Sequence, residues 1–405
     1  MLSIKFRESD NPQNPEKPIQ KNNPLIHESN HPLIQKIQIQ IHKKYAQLLV
    51  NYCLEVKRDD KVYVKSSWLA EPLLQEMIKE ICIAGGHPVL NVGIQEYDKI
   101  MLENSAEHQL KWENPLLKHV MEQFDCYIAI SAPFNLKDLQ KTDPEKRKLA
   151  KESRRNIMRT YMERTATSDL RRNGCQYPTQ ASAQEAGMSL KDYEQFVYQS
   201  CFLFEDDPIA CWQEVGRRQQ GIVDYLNRCK KVRYVGKDID ISFSCNDRTW
   251  INSDGKTNMP SGEVFTAPVE DSVNGKIKFS YPSIYMGQEV EDVSLEVKDG
   301  EVVRWSATRG QDLLDQIFTI PGAKRFGEAA IGTNDNIQKM TKNILFDEKI
   351  GGTIHMALGQ AYLHCGGKNE SSIHWDLITD MKDGGEIFAD DVLIYKNGKF
   401  LVDPE

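Results

Sequence analysis

No stretch of this sequence approaches the 18 or more apolar residues that a membrane span requires, so no membrane role is expected. Positive charge is not in excess either. Lys and Arg number 51 against 59 Asp and Glu, a net charge of −8, which gives no general attraction for nucleic acid or an anionic membrane. The nine cysteines form no CxxC pair, which argues against a zinc knuckle and a disulfide framework. Most sit among apolar neighbours, as Cys126 does beside Tyr127 and Ile128, and are expected to be buried and reduced. GxGxxG, GxxxxGK[ST] and GxSxG are all missing, so nothing points to a dinucleotide fold, a phosphate loop or a serine nucleophile elbow. Residues 1–32 lack an apolar core of signal-peptide length, and the cytoplasm is the expected location.

What is present suits a folded protein of two domains. The 405 residues correspond to about 2.7 domains at ~150 residues each, and 40% hydrophobic with 27% charged residues rules out a wholly disordered chain. Residues 1–35, with Pro12, Pro15, Pro18, Pro24 and Pro32, read as a flexible leader. Residues 36–235 read as an α/β domain with a parallel sheet. Helical stripes (Ile37 to Tyr52, Leu69 to Ile81) alternate there with short apolar runs at Val62–Val64, Val89–Ile94 and Cys126–Ile130. The charged stretch from Asp143 to Cys229 reads as flanking helices. Residues 236–405 read as a β-rich α+β domain. Ile239 to Phe243 alternates strictly, and Asn274-Gly275, Asp299-Gly300 and Asn397-Gly398 suit type I′ hairpin turns.

Residues with chemistry fall in this second half. On a strand, His374 and Asp376 share one face while Trp375 points away, so imidazole and carboxylate reach a common point and suit a shared metal. A surface strand would give the same spacing. His355 lies among small and apolar residues, which also fits a satisfied core histidine. Glu263 and Glu328 are acids in non-polar settings, where an unpaired carboxylate is costly. The three acids carry −3 and the two imidazoles nothing. Two divalent ions with a bridging hydroxide neutralise that set, and such ions sit about 3.5–4 Å apart. Tyr362, seven residues after His355, could donate to the oxyanion of a tetrahedral intermediate or simply pack.

Four ordered segments, NMPSGEVFTAP from Asn258 to Pro268, Gly327-Glu328, HMALGQAY from His355 to Tyr362, and His374-Trp375-Asp376, resemble the metal-site motifs of the aminopeptidase T family, also called thermophilic aminopeptidases. The likeness spans roughly residues 40 to 405. It includes Tyr177-Pro178-Thr179, Ala186-Gly187-Met188-Ser189 and the run Phe346-Asp347-Glu348-Lys349-Ile350-Gly351-Gly352-Thr353. The resemblance implies a dinuclear metallo-exopeptidase of peptides with a free N-terminus, and a homodimer. Glu263, Glu328, His355, His374 and Asp376 then match the metal ligands and Tyr362 the catalytic tyrosine. Glu263 or Glu328 would pass the proton to the leaving amine. Zinc, cobalt, manganese and magnesium all suit mixed carboxylate and imidazole donors. Two rival readings are a two-metal phosphoesterase, which usually adds Arg or Lys for the extra charge, and a non-catalytic dimeric protein that binds peptide or metal. Release of an amino acid from a dipeptide, set against hydrolysis of a phosphate ester, separates the first; metal-dependent turnover excludes the second.

Overall fold

The structure, a computed structural model, describes residues 32–285 and 287–401. The leader expected over 1–35 therefore lies outside the described residues, except that Pro32 opens the helix Pro32–Gln47. The described residues from Ile41 onward form one compact unit.

The parallel sheet expected within residues 36–235 is present, but its fifth strand comes from beyond residue 235. Lys231–Gly236 joins an antiparallel sheet instead, so that boundary does not divide the two sheets. The strands of the first sheet lie in the order His87–Gly93, Lys61–Ser67, Cys126–Ser131, Arg171–Gln176 and Asn258–Met259, all parallel. Helix Glu71–Ile83 turns Leu73, Leu74, Met77 and Ile81 into the core, as the helical spacing predicts. The strand Arg171–Gln176 corrects the reading of residues 143–229 as helical. Its buried side chains include the polar Asn173 and Gln176, so no apolar alternation betrays it. Pairing to strands on both sides holds it instead.

The second half is antiparallel. An eight-stranded sheet runs in the order Glu301–Ser306, Ser294–Lys298, Asn274–Lys278, Ile239–Ser244, Lys231–Gly236, Glu386–Ala389, Val392–Lys396 and Lys399–Phe400. A five-stranded sheet runs His374–Asp380, Thr353–Gly359, Phe326–Gly332, Glu263–Thr266 and Ile251–Ser253. Asp299-Gly300 and Asn397-Gly398 do form hairpin turns, with positive φ at all four residues. Asn274-Gly275 does not, because it opens a ladder with Ile239–Ser244. Gly275 is needed there for another reason: at φ +129° a Cβ would stand 2.1 Å from the Asp240 carbonyl oxygen.

Two apolar cores result. One packs between the antiparallel sheets, and the other surrounds the parallel sheet. The second core also takes in Phe346 and Ile350 from far along the chain, and the Phe346 ring lies 5.1 Å from that of Phe196. All nine cysteines are free thiols. Six are buried as expected, but Cys82 is exposed and Cys211 and Cys229 only partly covered.

His42 is buried against Tyr198, whose hydroxyl is 3.2 Å from its Nε2. Burial lowers its pKa to about 4, against a weaker upward pull from Glu76. The unfolded chain protonates this ring near the ordinary value of about 6.5, so between the two values it binds more protons than the folded one. Stability is therefore lost as pH falls through that window. In urea unfolding at pH 7 and pH 4.5, His42→Phe should lose about 2 kcal/mol less on acidification than the native protein. Equal losses would show that the ring is not held neutral.

Candidate metal centre

The five-stranded sheet explains why distant residues meet. Side chains two apart along a strand share a face, and the register joins those faces across strands. Glu328 pairs with Ala357, and Ala357 with Asp376. Ala330 pairs with both Phe265 and His355, Gly332 with Glu263, and Gly359 with His374. Glu263, Glu328, His355, His374 and Asp376 thus all rise from one side of the sheet. Ala330 and Ala357 stand between them and leave the space above open. A bulge at Phe326/Glu328 lies where Gly327 passes under the next strand, and a Cβ on Gly327 would meet the Gln360 carbonyl oxygen at 2.3 Å. Trp375, on the opposite face, packs its ring 5.1 Å from Tyr285.

The five side chains form a continuous chain of contacts. His355 Nε2 is 3.4 Å from Glu263 and 3.6 Å from Glu328, and His374 Nε2 is 3.0 Å from Glu328 and 3.6 Å from Asp376. They divide into two groups of converging donors, Glu328, His374 and Asp376 in one, and Glu263, His355 and a further acid, Glu348, in the other. Within each group the donor atoms lie within 4.8 Å of one another.

Glu348 and its neighbour Lys349 are the residues that sequence reasoning left without a role. They precede the Gly351-Gly352 turn, between Phe346 and Ile350, which are buried in the first-half core. That anchoring swings the charged pair over the sheet face. Lys349 is fully buried, with Nζ 3.4 Å from Glu263 and in contact with Glu348. Glu348 adds one negative charge and Lys349 one positive, so the net of −3 from Glu263, Glu328 and Asp376 is unchanged. The sequence signal was an Asp-Glu-Lys run enclosed by apolar residues, where solvated charges are out of place.

The electrostatics follow from crowding. Burial pushes Glu348 upward, and Glu263 and Asp376 reinforce this against the pull of Lys349. Burial alone would lower His355, but Glu328 and Glu263 raise it to about 9. His374, likewise opposed by burial, is lifted to about 11 by Asp376 and Glu328. Each imidazole is thus drawn toward positive charge by carboxylates that demand a cation.

A metal ion fits that demand. Glu263 Oε2, Asp376 Oδ1 and both ring nitrogens of His355 are buried without a hydrogen-bond partner, a costly state for four polar atoms in one place. His374 Nδ1 lies 2.8 Å from the Gln360 carbonyl oxygen. A carbonyl only accepts, so Nδ1 carries the proton and Nε2 is left as the donor facing the acids. Tyr362 stands at the rim, its ring 4.9 Å from His374 and 5.3 Å from Phe265, with 40% of the residue accessible. Burial and the surrounding carboxylates hold its hydroxyl far above the usual phenol range, so it stays protonated and can donate.

Residues 39–400 match the thermophilic metalloprotease (M29) family. The chain belongs to that family. It is 27% identical to Aminopeptidase 2 of Geobacillus stearothermophilus over 381 residues, 84% of this chain and 92% of that one. It is 29% identical to Aminopeptidase T of Thermus aquaticus over 208 residues, 45% of this chain and 51% of the relative. Wild-type AmpT from Thermus thermophilus shares the fold, with a TM-score of 0.79 at 22% identity, covering 90% of this chain and all of the other.

Lys349 carries a prediction about the metalloprotease's stability. Removing one partner from a buried charge cluster costs about 3–5 kcal/mol, so Lys349→Met should lower the stability of chelator-treated protein by that amount. The double variant E348Q/K349M should lose much less than the sum of the single changes. Chemical unfolding of the four proteins measures this, and additive losses would rule out the coupling.

Proposed function

We propose that the protein is a metal-dependent aminopeptidase that releases the N-terminal residue of peptides with a free amino terminus. The observation that carries this reading is the pair of buried donor groups with unpartnered atoms on one sheet face. Membership of the metalloprotease family, and relatives named aminopeptidases, support it. In this reading Glu263, Glu348 and His355 hold one divalent ion, and Glu328, His374 and Asp376 hold a second. The donor set suits zinc, cobalt, manganese or magnesium. Ions in these positions supply Lewis acidity, which lowers the pKa of water and polarises a carbonyl.

The chain's own residues do the rest. Tyr362, kept protonated by its surroundings, donates to the oxyanion that forms when the scissile carbonyl is attacked. Glu263 or Glu328 passes a proton to the leaving amine. Residues 36–235 supply most of an α/β scaffold, and residues 236–405 carry the catalytic centre. Lys349 is already bound to two carboxylates, so it is not free to meet a phosphoryl group, which weighs against the phosphoesterase reading. A cytoplasmic setting belongs to the same reading, and the nine free thiols agree with it.

Unblocked leucinamide and dipeptides should be hydrolysed, N-acetylated ones should not, and activity should vanish with a chelator and return with a divalent ion. His374→Ala removes a donor of the proposed ion and should lower hydrolysis by more than the ~10–100-fold that losing a hydrogen-bond partner of such a ligand costs. Full activity of the variant in saturating metal would refute the site.

A homodimer belongs to the same proposal. Among the described residues, the outer strand of the parallel sheet, His87–Gly93, has no partner on one side and leaves Val89, Leu90 and Val92 exposed, with Ile94 next to them 62% exposed. An open apolar edge of this kind is ordinarily covered. Light scattering at micromolar concentration should give twice the chain mass, and Val92→Lys should shift it toward the monomer. A monomeric native protein would dismiss the dimer.

A further inference from the structure

Beside the strand that carries His374 and Asp376 lies a cavity of about 140 Å³. Ile378, two residues beyond Asp376 on the same face, lines it, with Ile284 and Tyr285 from the hairpin strand Ser283–Tyr285 and Ile344 from the start of the helix Ile344–Asp347. Apart from His374 and Asp376 of the centre, its polar lining is committed elsewhere, and the Ser283 hydroxyl accepts from the Trp375 indole at 2.8 Å. Asp347 accepts from the Thr341 amide at 2.8 Å and from its hydroxyl at 2.9 Å, and Lys342 pairs with Glu289 at 2.5 Å. What the cavity offers a ligand is therefore apolar surface. Ile344 is 46% exposed even though it belongs to this lining, and an occupant would cover it.

We propose that this cavity receives the side chain of the peptide's first residue and makes the enzyme selective for medium-sized apolar residues such as leucine, methionine and phenylalanine. The inference rests on the aminopeptidase reading and adds the substrate class. The first residue's side chain leaves from the carbon that joins the free amine to the scissile carbonyl. The second residue's side chain starts one atom further off, beyond the leaving nitrogen. A cavity sharing His374 and Asp376 with the centre is therefore nearest to the first side chain. Its size is the second argument. An apolar cavity of about 150 Å³ holds a benzene molecule, so an isobutyl, thioether or benzyl group fills this one. A methyl group leaves most of it empty. With Asp376 committed to the proposed ion, carboxylate and ammonium side chains find no free counter-charge among the other lining residues and pay for desolvation.

The test uses the full chain loaded with a divalent ion and two dipeptide panels, one varied at the first position and one at the second. A single methylene in such a pocket is worth about 10–200-fold. The native enzyme should therefore favour leucyl over alanyl substrates at the first position by at least a hundredfold in kcat/KM, with glutamyl and lysyl substrates poorer still. Ile344→Trp fills the cavity from its rim and should shrink the leucyl-to-alanyl ratio at least tenfold, with no matching change at the second position. Ligand-observed saturation transfer gives a readout independent of turnover. L-leucinamide should bind the chelator-treated native protein and bind less to Ile344→Trp, while L-alaninamide shows no such difference. An unchanged first-position ratio, or a change confined to the second position, overturns the assignment while leaving the aminopeptidase standing. Hydrolysis of no peptide at all overturns both.

Discussion

Four carboxylates and two imidazoles share a buried space a few ångströms across, and among the described residues Lys349 is the one lysine or arginine that pairs with them. Like charges in a poorly hydrated setting repel strongly, and their desolvation adds several kcal/mol per ion. A fold under no functional demand would replace such a cluster with apolar side chains of similar volume. Its presence means that the surrounding structure is arranged to keep these groups together until cations complete them. The unpartnered atoms of Glu263, His355 and Asp376 are what that arrangement leaves exposed to an incoming ion.

Two kinds of support hold the cluster. The sheet supplies rigidity. Five of the six donor residues stand on one antiparallel sheet whose ladder sets their spacing, with alanines between them as a cleared floor. The sixth, Glu348, comes from a segment that the first-half core grips through Phe346 and Ile350. The parallel sheet thus takes part in the centre from a distance. It also extends toward the centre directly, since its last strand, Asn258–Met259, leads within a few residues to Glu263.

Much of this was legible because it follows the period-two rule. His374 and Asp376 on one side of Trp375, and small residues around His355, announce a strand face with a polar purpose. The parallel sheet was legible from apolar runs at Val62, Val89 and Cys126, all of which became strands. The failures have physical causes. Arg171–Gln176 is a strand defined by its neighbours, with polar side chains buried through tertiary contacts that no local pattern encodes. Asn274-Gly275 has turn chemistry, but strand crowding against Asp240 uses the same glycine for another purpose. Glu348 sits in a short helix and loop rather than on a strand, so no periodicity aimed it at the other ligands. Only the three-dimensional path of the chain brings it over the sheet.

That path gives one short segment unusual reach. From Phe346 to Ile350 the chain alternates anchorage and chemistry. Phe346 and Ile350 pack in the α/β core, Asp347 closes the loop by accepting from Thr341, Glu348 points into the centre, and Lys349 binds Glu263. The loop that Asp347 closes carries Ile344, a wall of the apolar cavity. Displacing this segment by an ångström would therefore alter the charge balance of the centre and the shape of the adjoining cavity at once. Neither could be tuned independently of the other. The cost of breaking the buried Lys349 contacts, far more than local helix propensity, is what holds the segment in register.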